Sequence, residues 1–369
     1  MLSCSEQAMK RQGWIIALVV VVVVLIAWLA RRDASQSAGR SGTTPTTSAA
    51  PTAAATTNGP KATASTPIAF VAPKPPTFAE IPWGTGSGAL GRKAPQEGNP
   101  EAPMSLAIDA NGVTWVLDQV NDRIVRYGKD GKVLDTIPLT VKGAQDIVIA
   151  KDGSALVLDR LVDKRVAILD PNGKPVGSLS LEGKGLPEGG GATGVFTDGN
   201  SVWVEREHER SVRVGDTKGT ADSERKEAPG RPTRDGQGFI RAWLGEVPGH
   251  RAFVTFSNKE PEAQRFTRQL TTAVTSLGVV LLDTDRAGII YLGLLTGDLD
   301  PAGNPVGDPS ITLYCLEPLH GAPIGQTSVA ASKAPEETFR ELAVLDEGGV
   351  IYMKRSDTGV TMVPLDCRQ

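Results

Sequence analysis

The stretch "WVLDQVNDRIVRYGKDGKVL", Trp115 to Leu134, decides the fold. Acids, amides and an arginine sit between two apolar runs, which suits either a binding site or the corner of a repeated scaffold. Recurrence makes the choice. Val116–Arg126, "VLDQVNDRIVR", aligns without a gap on Trp203–Arg213, "WVEREHERSVR", so that Asp118 falls on Glu205, Arg123 on Arg210 and Val125-Arg126 on Val212-Arg213. Between them, "KDGSALVLDRLVDKRVAILDPNGK" keeps Asp152-Gly153, Leu158-Asp159 and Arg165 in step apart from one inserted residue. Successive copies make a repeat. An active site needs its residue once, whereas Asp and Asn side chains hold turns by bonding nearby backbone amides wherever a turn recurs.

Each copy reads as a hairpin with further strand on either side. Asn111-Gly112 and Asp152-Gly153 supply the positive backbone dihedrals of a tight antiparallel turn. "VTWVLD", "SALVLD" and "NSVWVE" follow as short apolar strands, and a second polar turn leads to "RIVRYG", "RVAILD" and "RSVRVG". With "SLAID" or "DIVIA" upstream and "KVLDTIPL" or "KPVGSLSL" downstream, a unit has four strands. Turn glycines continue at Gly112, Gly153, Gly199, Gly249, Gly288 and Gly348. The pattern predicts an all-β fold, a six-bladed β-propeller of four-stranded blades over residues 77–369, with "FAEIPW" (Phe78–Trp83) completing the last sheet. A chain with 41 Gly and 26 Pro among 369 residues fits such short, turn-rich elements.

Residues 83–180 resemble the NHL-repeat family of β-propellers, and the likeness weakens towards 215 and fades beyond. Pro103, Asp109, Gly112, Asp118, Asn121 and Arg123 match that family's proline, strand-ending aspartate, turn glycine and Asp-x-x-Asn-x-Arg corner. The second copy departs by its extra residue before Arg165; the third has Glu205 and His208 in place of Asp118 and Asn121. The resemblance implies corner-holding roles for these residues. Because some lyases of such propellers hold zinc with three histidines, it also raises His208, His250 and His320, which occupy non-equivalent places in their copies and do not converge on one axis.

Ahead of the repeat, "WIIALVVVVVVLIAWLA" (Trp14–Ala30) carries no charge and would span roughly 25 Å as a helix. Arg31-Arg32 stand where a signal peptide would need small residues, so an uncleaved signal anchor is expected. The chain divides accordingly into a cytoplasmic tail (1–13), a transmembrane helix (14–30), a disordered Ala/Thr/Pro-rich linker (31–76) and the propeller (77–369), placed outside the cytoplasm as a periplasmic domain. Residues 1–40 hold five basic residues against Glu6 and Asp33, which leaves 34 basic and 40 acidic residues in the body. An acidic body lacks the footprint of a nucleic-acid binder. Cys4 precedes the apolar run, so Cys315 and Cys367 are the pair that can meet in an oxidising compartment; two free core thiols are the other reading.

Motifs for chemistry are sparse. "GSGALG" (Gly86–Gly91) fits a dinucleotide fingerprint in spelling only, since "RKAPQEGNPEAP" follows instead of a helix. "DLDPAGNPVGD" opens like a calcium loop at Asp298 and Asp300 but has Ala302 and Pro309 where ligands belong, leaving weak Ca2+ binding as the most it offers. No HExxH, G-x-S-x-G or CxxC occurs, and no catalytic, cofactor or metal residue is assigned. Seven residues before the turn glycines stand Ser105, Asp146, Ala192 and Glu341, with Arg241 at a comparable place in the fourth copy. Asp146, Arg241 and Glu341 are the candidate ligand contacts at a channel mouth. The expected role is a membrane-anchored binding or scaffold module for a protein or a small polar ligand. The alternatives are a metal-dependent lactonase- or lyase-like enzyme and a structural part of an envelope assembly.

Overall fold

The computed structural model describes residues 80–94, 100–303, 305–334 and 336–368. The tail 1–13, the span 14–30 and the linker 31–76 lie outside them.

The hairpin at Gly112 shows how each unit starts. Gly112 has φ 75°, and the Asp109 carboxylate accepts the N–H groups of Asn111 and Val113 at 2.8 and 3.0 Å. This turn lays Ser105–Ile108 antiparallel on Thr114–Asp118, with Ile108 facing Thr114. Arg123–Tyr127 and Val133–Pro138 complete a four-stranded sheet. The second sheet repeats the plan with Ala144–Ile149, Ala155–Asp159, Arg165–Leu169 and Pro175–Ser180. The third uses Ala192–Asp198, Ser201–Arg206, Arg210–Asp216 and the two-residue Glu227–Ala228. The last combines Leu342–Val344, Val350–Arg355 and Gly359–Leu365 with Ile81–Pro82 from the other end of the chain, Ile81 facing Val360. The expected closure is therefore present at Ile81–Pro82; Phe78 and Ala79 lie outside the described residues.

Six separate blades are not. Where a fourth and a fifth blade were expected, the chain forms one seven-stranded sheet, from Arg231–Pro232 to Pro323–Ala330. The cause is Ala263–Thr284, a single strand of 22 residues. It contains no proline and only Gly278, and its Thr- and Val-rich sequence favours unbroken extension. Its first half pairs with Gly249–Asn258 and its second half with Ile290–Leu299; Ser276 faces Gly249 on one side and Thr296 on the other. The turn glycine expected at Gly249 instead opens a strand, without the positive φ of Gly112, Gly153, Gly199, Gly288 and Gly348.

Apolar cores lie between neighbouring sheets. Leu106, Val116 and Tyr127 of the first pack on Ile351, Met353 and Val360 of the last, while Trp115, Leu117 and Ile124 pack on Ile147, Val157 and Ala167 of the second. Being covered on both faces, Thr114–Asp118 and Ala155–Asp159 are buried at every residue. The seven-stranded sheet folds on itself, bringing Ile240, Val254 and Phe256 against Leu282, Leu292 and Leu294. The innermost strands touch in succession around a channel: Leu342–Val344, Ser105–Ile108, Ala144–Ile149, Ala192–Asp198 and Arg231–Pro232, with the end of Ala263–Thr284 returning to the first.

Membrane placement is also corrected. Among the described residues no helix is long and apolar enough to cross a membrane; the helices there are single 3-10 turns at Gln119–Asn121 and Gly189–Gly191. Trp14–Ala30 lies outside the described residues, so the structure provides no spanning segment for a single-pass, periplasmic arrangement.

Candidate ligand site in the channel

The residues of the opening stretch build a corner. Asp118 is fully buried and accepts the Gly91 N–H, Asn121 Nδ2 and Arg123 Nε at 2.8, 2.8 and 2.9 Å. Arg123 Nη2 then donates to the carbonyls of Gly86 and Ala89. "GSGALG" is thus a strap tied down by this corner. Gly91 lies so close to Val120 that an added Cβ would approach its Cβ to 2.6 Å. The second copy solves the same problem differently. Its extra residue carries Arg165 away to Asp163, and Asp159 accepts the N–H groups of Gly143, Leu161, Val162 and Asp163 instead.

In the third copy the corner acid faces inward. Glu205 accepts Arg231 Nε at 2.6 Å and Nη2 at 3.0 Å, with Thr193 and His208 as further partners. Burial acts to raise the Glu205 carboxyl, but the charge of Arg231 and the contacts of His208 outweigh it and hold the group at about 2. Arg231 also lies over the Phe196 ring, 5.0 Å from its centroid, and Arg340 lies at 5.0 Å from the same ring. Arg340 grips Asp146 with two prongs, Nε to Oδ1 at 2.8 Å and Nη2 to Oδ2 at 2.7 Å. Asp146 further accepts Ser105 Oγ of the first sheet and the Val195 N–H of the third. A layer of ion pairs around Phe196 therefore crosses the channel and ties four sheets together.

Beside this layer, at the C-terminal ends of the inner strands, lies a cavity of about 320 Å³. Its walls include Ile147, Ile149, Phe196, Pro232 and Ala343, and its charged groups are Lys151, Arg234, Asp235, Asp283, Arg286, Arg340 and Asp346. Arg234 reaches Asp283 through Nε and Nη2 at 3.3 and 2.6 Å and Asp346 through Nη1 at 3.1 Å. Arg286 donates to the other oxygen of Asp346. Burial alone would lower the pKa values of Arg234 and Arg340, yet Asp283 with Asp346, and Asp146, raise them. These guanidiniums are permanent charges.

The three residues picked for the channel mouth do not meet. Asp146 is fully buried in the layer, with both oxygens occupied. Glu341 bonds Arg355 at 3.3 Å, and burial raises its pKa. Arg241 lies over Trp243, 3.9 Å from Glu209. Counting back from the turns selects the N-terminal starts of the inner strands, whereas the cavity is at their ends. Arg234, Asp283, Arg340 and Asp346 were missed. Arg231 and Arg234 lie in the polar stretch Asp216–Gln237 that reads as a surface excursion, and only its "RPTRDG" spelling, arginines around a strand-limiting proline, hints at an inward turn.

Each histidine has a separate setting: His208 with Glu205, His250 with the Thr272 carbonyl, His320 with Glu317. Among the described residues no three His, Cys, Asp or Glu side chains converge on a metal position. Asp298 is the penultimate residue of a strand, and Asp300 caps its own turn by accepting the Ala302 N–H. Cys315 and Cys367 are disulfide-bonded, with Cα atoms 5.6 Å apart.

A ring of antiparallel sheets around one channel defines a β-propeller-type protein. No family model and no curated protein matches the sequence. Solved structures similar to it include BamB from Moraxella catarrhalis, at 13% identity, covering 72% of this chain and 86% of that one with a TM-score of 0.39. A streptogramin B lyase structure has 8% identity, 75% and 96% coverage and a TM-score of 0.38. A DUF4221-family member from Bacteroides vulgatus has 10% identity, 79% and 98% coverage and a TM-score of 0.43. Likenesses this distant assign no activity to the chain.

Proposed function

We propose that this chain is a binding module of the propeller type, which takes a small polar ligand into the channel cavity. The observation that carries this reading is the cavity itself: about 320 Å³, bounded by the inner strands and furnished with fixed ion pairs. Sites for small molecules have volumes of this order, with mostly apolar walls and a few placed polar groups. Preorganised ion pairs suit recognition, because the protein has already ordered and desolvated the groups before a ligand arrives. The corner at Asp118, Asn121 and Arg123 supports grouping the repeat with NHL-type propellers.

A thermal-shift screen of small polar compounds on the purified full-length protein tests the reading, with Ala110→Trp and Thr197→Trp as cavity-filling controls. Both residues line the cavity. Compounds that stabilise the natural protein should lose their effect on the two variants. Stabilisation that survives in both would place the site elsewhere.

A further inference from the structure

The hydrogen-bonding capacity left unused in the cavity is almost all of one sign. Both oxygens of Asp146, Asp283 and Asp346 are taken up by arginines or backbone amides. Asp235 gives one oxygen to the Gln237 N–H. On the cationic side much remains. Arg340 spends Nε and Nη2 on Asp146 and the Val195 carbonyl, and among the described residues its Nη1 has no partner. Arg286 spends its side chain on Asp346 through Nη2 alone. Lys151 lines the same cavity, is exposed, and has no ion pair or side-chain hydrogen bond among the described residues.

We infer that the cavity selects a small organic carboxylate. Its carboxylate accepts Arg340 Nη1, whose plane is already fixed by Asp146, while Lys151 and Arg286 at the rim attract and hold a second negative charge. A guanidinium held by one carboxylate still presents its remaining N–H groups to another in a fixed direction. The aliphatic walls, Ile147, Val148, Ile149, Pro232 and Ala343, match a carbon skeleton, which a hydrated inorganic ion lacks. This inference rests on the channel being the binding site and adds the charge and chemical class of its ligand.

Three probes with four-carbon skeletons and different charge separate the possibilities: succinate, the neutral succinamide and the dication 1,4-diaminobutane. Titration calorimetry on the full-length protein at low ionic strength should show succinate binding, with the other two weaker by at least about tenfold. Lys151→Gln should weaken succinate by about three- to tenfold with unchanged thermal unfolding, Arg286→Gln should weaken it by a similar factor, and added salt should weaken it further. Preference for succinamide or diaminobutane, abolished by Ala110→Trp, would overturn the carboxylate assignment and leave the channel site standing. Succinate binding that neither Lys151→Gln nor Ala110→Trp alters would overturn it too, as would no binding of succinate while other compounds in the screen bind. Failure of every compound to bind would remove the channel reading with it.

Discussion

Asp146 and Arg340 stand 194 residues apart in sequence and meet in a two-pronged ion pair inside the channel. The pair braces the ring, because Asp146 belongs to the second sheet and Arg340 stands two residues before the first strand of the last. Taking one partner away leaves a buried charge without compensation, which typically costs about 3–5 kcal/mol. Asp146→Ala should therefore lose roughly that much in urea unfolding, and Arg340→Met with Asp146→Leu together should recover part of it. A single-variant loss below about 1 kcal/mol would mean that the pair does not hold the ring.

Glu205 makes a different prediction, readable in pH. Its carboxyl is held at about 2, below its ordinary 4.5, with only 2% of the side chain exposed. A folded-state value below the unfolded one stabilises the protein above the unfolded value, and that stabilisation disappears as pH falls towards the folded value. The contribution is roughly 3 kcal/mol at neutral pH, lost between about pH 5 and pH 2. Urea unfolding at neutral pH and at about pH 3 should show a shallower pH dependence for Glu205→Gln than for the natural protein. Parallel slopes would show that the Arg231 contact is not linked to stability.

The first three sheets were legible because their corner recurs: Asp118, Asp159 and Glu205 each stand at or next to the end of a strand, before a polar turn. The seven-stranded sheet was not, although its cause is visible in "AQRFTRQLTTAVTSLGVVLLDT". Reading for turn glycines looks for interruption, and here the informative feature is its lack. The cavity was less legible still. Arg234, Asp283, Arg340 and Asp346 come from distant copies and form no motif. Only folding brings them together, and a charged residue at a strand end reads the same in sequence whether it faces solvent or a channel.

The disulfide links the seven-stranded sheet to the segment after the last strand. Cys315 and Cys367 are both buried, among Tyr291, Leu313, Leu342 and Val350. They are 52 residues apart, and closing a loop of that length stabilises by about 4 kcal/mol in the chain-entropy account. The double variant Cys315→Ala, Cys367→Ala should lose about 2–4 kcal/mol in urea unfolding, with the native fold retained by circular dichroism. Thiol titration of the natural protein in denaturant without reductant should find one reactive group, Cys4. Three would show that the bond is not formed in the protein as purified.

The corner at Asp118 should be separable from ligand binding. Arg123 bonds Asp118 and the carbonyls of Thr85, Gly86 and Ala89, and it does not line the cavity. Lysine keeps the charge but cannot reach those acceptors in fork geometry. Arg123→Lys should cost about 1–3 kcal/mol, since charge-assisted hydrogen bonds to a buried carboxylate are lost. The strap 86–91 should then exchange its amide hydrogens faster, because the Gly91 N–H depends on an Asp118 that Arg123 helps to position. Affinity for whatever ligand the channel takes should remain within about twofold. If the substitution removes ligand binding while leaving urea stability unchanged, the Asp-x-x-Asn-x-Arg corner is part of a binding site and its recurrence has another cause.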